Sequence, residues 1–342
     1  MNFFTAASLI AVSALSGSEA FSISSRTVQT ASIAPSRTSL NSASLYPEDT
    51  VTFQEEIKTP QEIEESTSAK SYLDDGFVFG LEGSGLERPR GKVAQVVVEG
   101  DTLASEPWQQ ALVASTLASH LAFCATAISH LNAMNSGNAF LTGAEAIATI
   151  LSSWVIADFG SGVLHWSVDN YGNGNTPVMG GIIAAFQGHH SAPWTITERE
   201  FCNNVSKLCI PFGIPTVAAI TLLAGPQHPL VSLFFAIFCA LEIGSQEFHK
   251  WSHMTPKQLN PLILGVQKLG LTIGRIPHAM HHIAPYDGNY CIVSGFCNEK
   301  LDSSGFFRKL ERVVYSLNGI EANAWKIDPK LKEKTLAGDY SP

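Results

Sequence analysis

Residues 107–144 read PWQQALVASTLASHLAFCATAISHLNAMNSGNAFLTGA, and none of these 38 side chains is charged. A helix that crosses the hydrocarbon core of a bilayer needs about 20 mostly apolar residues. Leu112 to Leu131 supplies one such span. Asn132 to Gly143 gives a polar, glycine-containing turn, and Ala144 to about His165 gives a second span. Residues 208–241 form another charge-free run, of 34. Inside it, Gly225-Pro226-Gln227-His228-Pro229 must interrupt a helix, because proline has no amide hydrogen and clashes with the preceding turn. Two spans follow, Leu208 to Ala224 and Leu230 to about Gln246, the first short enough to be partly re-entrant. Leu262 to Ile276 is apolar but carries Lys268 and Arg275, which suits an interfacial or cap helix. The expected fold is all-α and integral to a membrane, with about four transmembrane helices and a histidine-rich cap on one membrane face. A soluble bundle of buried helices is the competing architecture. Two charge-free stretches of more than 30 residues argue against it.

Composition points the same way. Charged residues make up 15% of the 342, against about 25% in a typical soluble domain. A formal charge of −9 argues against nucleic acid as a partner, since that would need a basic face. Six cysteines (Cys124, Cys202, Cys209, Cys239, Cys291, Cys297) include no C-x-x-C pair, so neither a zinc ribbon nor a dithiol motif is present.

The first hundred residues read as an address and a linker. An apolar run from Phe3 to Leu15 precedes Ser18-Glu19-Ala20, a small-x-small cleavage pattern, so residues 1–20 are signal-peptide-like. Residues 21–47 hold eleven Ser or Thr, Arg26, Arg37 and no acid, which is transit-peptide composition. A signal followed by a segment led by Phe21 resembles the two-part address of algae whose plastids have extra envelope membranes. Residues 48–107 read as an acidic, disordered linker. A plastid (chloroplast) membrane is the expected location, with the endoplasmic reticulum membrane as the alternative.

Eight of the eleven histidines fall into four groups between 165 and 282: His165-Trp-Ser-Val-Asp169, His189-His190, His249-Lys-Trp-Ser-His253 and His278-Ala-Met-His281-His282. Residues four apart on a helix share a face, so His165 meets Asp169, His249 meets His253, and His278, His281 and His282 share one side. Any one histidine has a structural reading, and His120, His130 and His228 are left with it. Eight grouped imidazoles have no packing use, and buried polar groups are costly without partners. Crossing parity is an independent check. Two spans separate the second group from the third, so all eight rings return to one membrane face. Eight imidazoles exceed one ion's capacity and suit two, with about four nitrogens each and an open position for dioxygen or water. Asp169 is either a ligand or the orienter of a ligating ring. Two non-haem iron ions are favoured over zinc, because a di-metal site facing lipid has a ready redox task.

At these residues the chain resembles the lipid desaturase family of plasmanylethanolamine desaturases and plastid phosphatidylglycerol desaturases. The resemblance rests on Asp158-Phe-Gly-Ser-Gly-Val-Leu-His165-Trp-Ser-Val-Asp169-Asn-Tyr-Gly, Phe186-Gln-Gly-His189-His190, Pro193-Trp-Thr-Ile-Thr197, Phe248-His249-Lys-Trp-Ser-His253 and Pro277-His278-Ala-Met-His281-His282. Ala284-Pro285-Tyr through Asn289-Tyr290-Cys291-Ile-Val-Ser-Gly295 agrees. It covers about residues 108–325, leaving 326–342 as a C-terminal tail. Gln187-Gly188-His189-His190-Ser-Ala-Pro-Trp194 and the plastid-like leader favour the plastid branch. The resemblance implies the eight grouped histidines as di-iron ligands and Asp169 as a required acid. It also implies a trans double bond at carbon 3 of the sn-2 palmitoyl chain of phosphatidylglycerol.

The expected partners are a membrane glycerolipid, dioxygen and an external electron donor, ferredoxin in a plastid. No His-Pro-Gly-Gly haem segment and no Gly-x-Gly-x-x-Gly fingerprint supplies electrons within the chain. Arg199, Lys207, Lys250, Lys257 and Arg275 lie near the histidine face as candidates for an anionic headgroup. Ordinary snorkelling at membrane ends is their structural alternative. The rival functions are vinyl-ether formation, lipid hydroxylation, metallohydrolysis and metal transport.

Overall fold

The computed structural model describes residues 101–340 together with Ala94. The signal-like and transit-like segments and most of the expected linker lie outside the described residues. Among those described, the secondary structure is helical and no strand occurs.

Helix α1 spans Pro107–Met134. It starts where proline is tolerated, after Glu106, whose side chain and that of Gln109 form a reciprocal capping box. A four-residue turn leads to α2, Ala139–Asn170, capped by Asn138 Oδ1 accepting from Leu141 N at 3.1 Å. Glu145 does not enter the apolar span unpartnered, because Asn135 Nδ2 donates to it at 2.7 Å.

Helices α3 (Gly180–His189) and α4 (Phe201–Val205) follow, with a 3-10 turn over Pro193–Glu198 between them. Helix α5 is Ile214–Ala224, and α6 is Pro229–His253. Helices α1, α2 and α6 are long and apolar enough to cross a membrane.

The expected span Leu208–Ala224 is corrected. Only its last 11 residues are helical, too few to cross a bilayer. Among the described residues three helices and not four are long enough, so crossing parity loses one of its two crossings. Pro211, Gly213 and Pro215 explain the loss, because a helix can begin at Pro215 but cannot run through both prolines. The non-helical stretch is partly covered by protein: Leu208, Cys209 and Gly213 are buried, while Ile210 and Pro211 are exposed. His120 of α1, buried, places Nε2 3.2 Å from the Phe212 carbonyl, while Val113 packs against Leu208 and Cys209. Gly225, at φ +68°, and Pro229 make the predicted break between α5 and α6.

Helix α6 is central and packs against α1, α2 and α5. Two other bounds move. Helices α2 and α6 each run past their expected ends, to Asn170 and His253. At 1.5 Å per residue they are about 48 and 37 Å long, longer than a roughly 30 Å hydrocarbon core. Their ligand-bearing last turns therefore extend beyond it.

The expected cap helix is two pieces, α7 (Pro261–Lys268) and α8 (Arg275–His281), divided at Gly270. Leu262, Leu269 and Ile276 remain exposed along it. Helices α9 (Asn298–Ser303), α10 (Phe306–Asn318), α11 (Asn323–Ile327) and α12 (Pro329–Ala337) complete the described chain. Buried Glu311 of α10 ties them to α2. It accepts from Trp166 Nε1 at 3.1 Å and Trp325 Nε1 at 2.6 Å and pairs with Arg308 at 2.7 Å.

Candidate metal centre

The last turns of α2 and α6 meet the ends of α3 and α8. They gather nine donors into two buried groups. The first holds His189, His249, His253, His278 and His282, and the second holds His165, Asp169, His190 and His281. In each group the donor atoms lie within 4.8 Å of one another.

Spacing along the helices explains who goes where. His165 and Asp169 are one turn apart on α2, with Nε2 and Oδ2 3.3 Å apart. His249 and His253 repeat the spacing on α6, their Nε2 atoms 3.2 Å apart. His278 and His282 do so on α8 and its cap residue, at 3.1 Å. His281 does not share their site as the one-face expectation had it. It turns to the second group and faces Asp169 Oδ2 at 3.3 Å. The adjacent His189 and His190 also separate, one into each group. The expected split of about four nitrogens per ion becomes five nitrogens in one group, and three nitrogens with a carboxylate in the other.

The donor chemistry fits metal ions. In the first group the Nε2 of His253 lies 2.9 Å from that of His189, 3.2 Å from that of His249 and 2.8 Å from that of His278. Nitrogens crowded on one point cannot all be matched as donors and acceptors whatever the tautomers, whereas their lone pairs can all share a cation. In the second group His165 Nδ1 donates to the Tyr290 carbonyl at 3.0 Å, and His281 Nδ1 to the Gly288 carbonyl at 2.8 Å. Those bonds fix the tautomer and turn each Nε2, buried and without a hydrogen bond of its own, toward Asp169. The imidazole-rich set with one carboxylate suits non-haem iron, and the two groups fit a di-iron site.

Sequence reasoning missed the support of this arrangement. Asp158 entered there only as the first residue of a motif. It is fully buried and accepts from the amides of Ser294, Gly295 and Cys297 at 2.7–2.8 Å. It thereby anchors the loop whose Gly288 and Tyr290 carbonyls orient two ligands. Asn323 Nδ2 holds the Asp169 carbonyl at 2.7 Å. The visible signal was a carboxylate inside an apolar helix, which is retained only when something binds it.

Burial and neighbouring rings disfavour the charged form of several of these imidazoles. Burial first, then mutual repulsion among the imidazoles, holds His189, His278 and His282 well below the usual imidazole range. His190 is also lowered by burial, against the pull of Asp169. Unfolded, these rings take up protons as pH falls through about 6.5. Folded, they do so only at lower pH. Below that pH the unfolded chain binds more protons, so stability falls with falling pH, and above it the contribution is complete. The melting temperature of metal-stripped protein is expected to drop by about 5 °C or more between pH 7.5 and 5.5. An unchanged melting temperature would show rings that protonate freely in the fold.

The five candidate cations do not act together. Arg199 Nη2 and Lys207 Nζ both contact Asp101 Oδ2, at 2.8 and 3.1 Å. Burial raises the Asp101 carboxyl, but Arg199 and Lys207 outweigh it and hold the group below its usual value. Lys250 Nζ donates to the Arg199 carbonyl at 2.6 Å. Lys257 is exposed after α6, and Arg275 opens α8. A cleft runs beside the centre, lined by His189 and His249, by apolar side chains including Phe186 and Leu208, and by Arg199 and Lys207.

The lipid desaturase domain model matches residues 154–325, half of the chain. The chain belongs to this family. Within the family, it is 44% identical over 174 residues to fatty acid desaturase 4, chloroplastic, of Arabidopsis thaliana, covering 51% of this chain and 53% of that protein. It is 41% identical to the Arabidopsis fatty acid desaturase 4-like 1, chloroplastic, over 51% of this chain and 58% of the relative. A plasmanylethanolamine desaturase of Myxococcus xanthus is more distant, 30% identical over 51% of this chain and 62% of its own length. The chain thus spans little more than half the length of the curated relatives it matches. No solved structure matches it. Within the family the chain is more similar to the chloroplastic members than to the plasmanylethanolamine desaturases, and its two donor groups fit a pair of metal ions.

Proposed function

We propose that the chain is a dioxygen-dependent acyl-lipid desaturase of a plastid membrane. The observation that carries this reading is the pair of buried donor groups at the ends of apolar helices, opening through half-buried His189 onto an apolar cleft. His165, His189, His190, His249, His253, His278, His281, His282 and Asp169 would hold two iron ions. Bound there, the ions supply dioxygen activation and the removal of two hydrogens from an alkyl chain.

The chain's own residues do the rest. Asp169 contributes the one negative charge among the nine donors and offsets the ions' positive charge. The Gly288 and Tyr290 carbonyls keep two rings in the tautomer whose Nε2 lone pair faces inward. Burial of the donors, other than half-buried His189, limits water to the cleft side. With the ligands on helix ends near the membrane surface, the reacting carbons lie close to the lipid headgroup. That suits a double bond at carbon 3. The favoured substrate is phosphatidylglycerol, desaturated in trans at carbon 3 of its sn-2 palmitoyl chain. Electrons come from an external carrier, ferredoxin in a plastid.

The test is the fatty-acid profile of phosphatidylglycerol in cells with and without the protein and a ferredoxin donor. A new trans-3 hexadecenoyl chain is expected. Vinyl ethers in its place would transfer the reading to the chemistry named for the plasmanylethanolamine relatives. No new lipid, with iron loaded and donor supplied, would overturn it.

A further inference from the structure

Two cations and two ligand-group imidazoles share one cleft. Arg199 and the partly exposed Lys207 line the same cavity as His189 and His249. Both cations converge on a single oxygen, Asp101 Oδ2. The guanidinium is held in place, since its Nη1 also donates to Asn203 Oδ1 at 2.7 Å and to the Thr102 carbonyl at 3.0 Å. A guanidinium and an ammonium closing on one anionic oxygen is the arrangement that takes a phosphodiester. Here the anion is supplied by the strap 101–106. That strap is tied down beside the cleft-lining Arg199 by Ser105 N donating to Glu200 Oε2 (2.8 Å) and Glu200 N to the Leu103 carbonyl (2.8 Å).

An independent observation lies on the α6 wall. Gln246 lines the cleft, and its Nε2 is buried with no hydrogen-bond partner. Its backbone carbonyl is occupied by Asn204 Nδ2 at 2.9 Å, which fixes the local backbone but leaves the side-chain donor open. Buried donors are almost always satisfied, so an orphan donor in a cleft marks the place of a missing acceptor. Gln246 stands one turn before His249 on α6. An ester carbonyl held there sits near the first carbons of an acyl chain that passes the metal centre.

We propose that this cleft is the headgroup subsite for an anionic glycerophospholipid. The phosphodiester replaces Asp101 between Arg199 and Lys207, Gln246 donates to an ester carbonyl, and the acyl chain runs past Phe186 toward His189 and His249. Asp101 is then an internal competitor that sets how strongly the headgroup must bind. The subsite deepens the desaturase reading of the same cleft, and its occupancy is measured without turnover.

The experiment offers the purified full chain an equal mixture of phosphatidylglycerol and phosphatidylcholine with identical acyl chains. Retained lipid is measured by native mass spectrometry, with iron content recorded in parallel. Wild type is expected to retain phosphatidylglycerol preferentially. Asp101→Asn should raise that retention by about 3- to 10-fold, as removal of one competing ion pair implies. The double variant Arg199→Gln, Lys207→Gln should lose the preference with iron content unchanged. Gln246→Leu should weaken both lipids alike, since both carry ester carbonyls. Persistent preference in the double variant, or no gain in Asp101→Asn, would overturn the subsite. So would displacement of the lipid by inorganic phosphate at matched ionic strength, which would mark a small-anion site. Headgroup-selective binding without any double bond formed would leave the subsite standing and remove the desaturase reading. Product formed with headgroup indifference would do the reverse.

Discussion

Asp169→Asn is expected to lower bound iron from about two to about one per chain and to reduce product by 100-fold or more, while the protein still inserts and melts normally. The carboxylate oxygen Oδ2 lies 3.3, 3.1 and 3.3 Å from the Nε2 atoms of His165, His190 and His281. No other donor of either group is an anion. Asparagine keeps the volume, and the backbone carbonyl that Asn323 holds is untouched, so the fold has no reason to fail. What is lost is the charge that makes a three-imidazole pocket bind iron tightly. Iron counting by mass spectrometry of the purified protein reads the stoichiometry, and product analysis reads the turnover. Full loading and normal turnover would remove Asp169 from the ligand set.

His249→Ala carries the second large effect. Its ring lies 4.3 Å from that of His278 and 5.9 Å from that of His165, so it stands between the two groups as well as on the cleft wall. Truncation takes one nitrogen from the five-nitrogen group and leaves a void open to the cleft. Product is expected to fall below detection. Added imidazole should restore part of the iron binding, because the void has the shape of the missing ring. A histidine that only packs would show neither the iron deficit nor the rescue. Retained desaturation in this variant would end the ligand assignment.

The long helices were readable because a hydrocarbon core imposes a minimum length on any apolar run, and α1, α2 and α6 meet it. The donor set was readable because packing has no use for grouped imidazoles. Two kinds of feature were not. The loss of helix before Ile214 depended on Pro211 and Pro215, which hydropathy counts as apolar and a helix cannot accommodate. The division of donors was hidden because spacing along one helix fixes faces but not which neighbour each face meets. Adjacent His189 and His190 part company, and His281 leaves His278 and His282, only through packing against α2 and α6. The role of Asp158 was hidden for the same reason, since its three amide partners lie more than 130 residues away in sequence.

Helix α8 and its cap residue give ligands to both groups within five consecutive residues, His278 and His282 to one and His281 to the other. The spacing between the two donor groups is therefore set in part by covalent geometry. A change of helix tilt that moved α2 against α6 in a thicker or thinner bilayer would leave the donors that α8 gives to the two groups at the same mutual spacing.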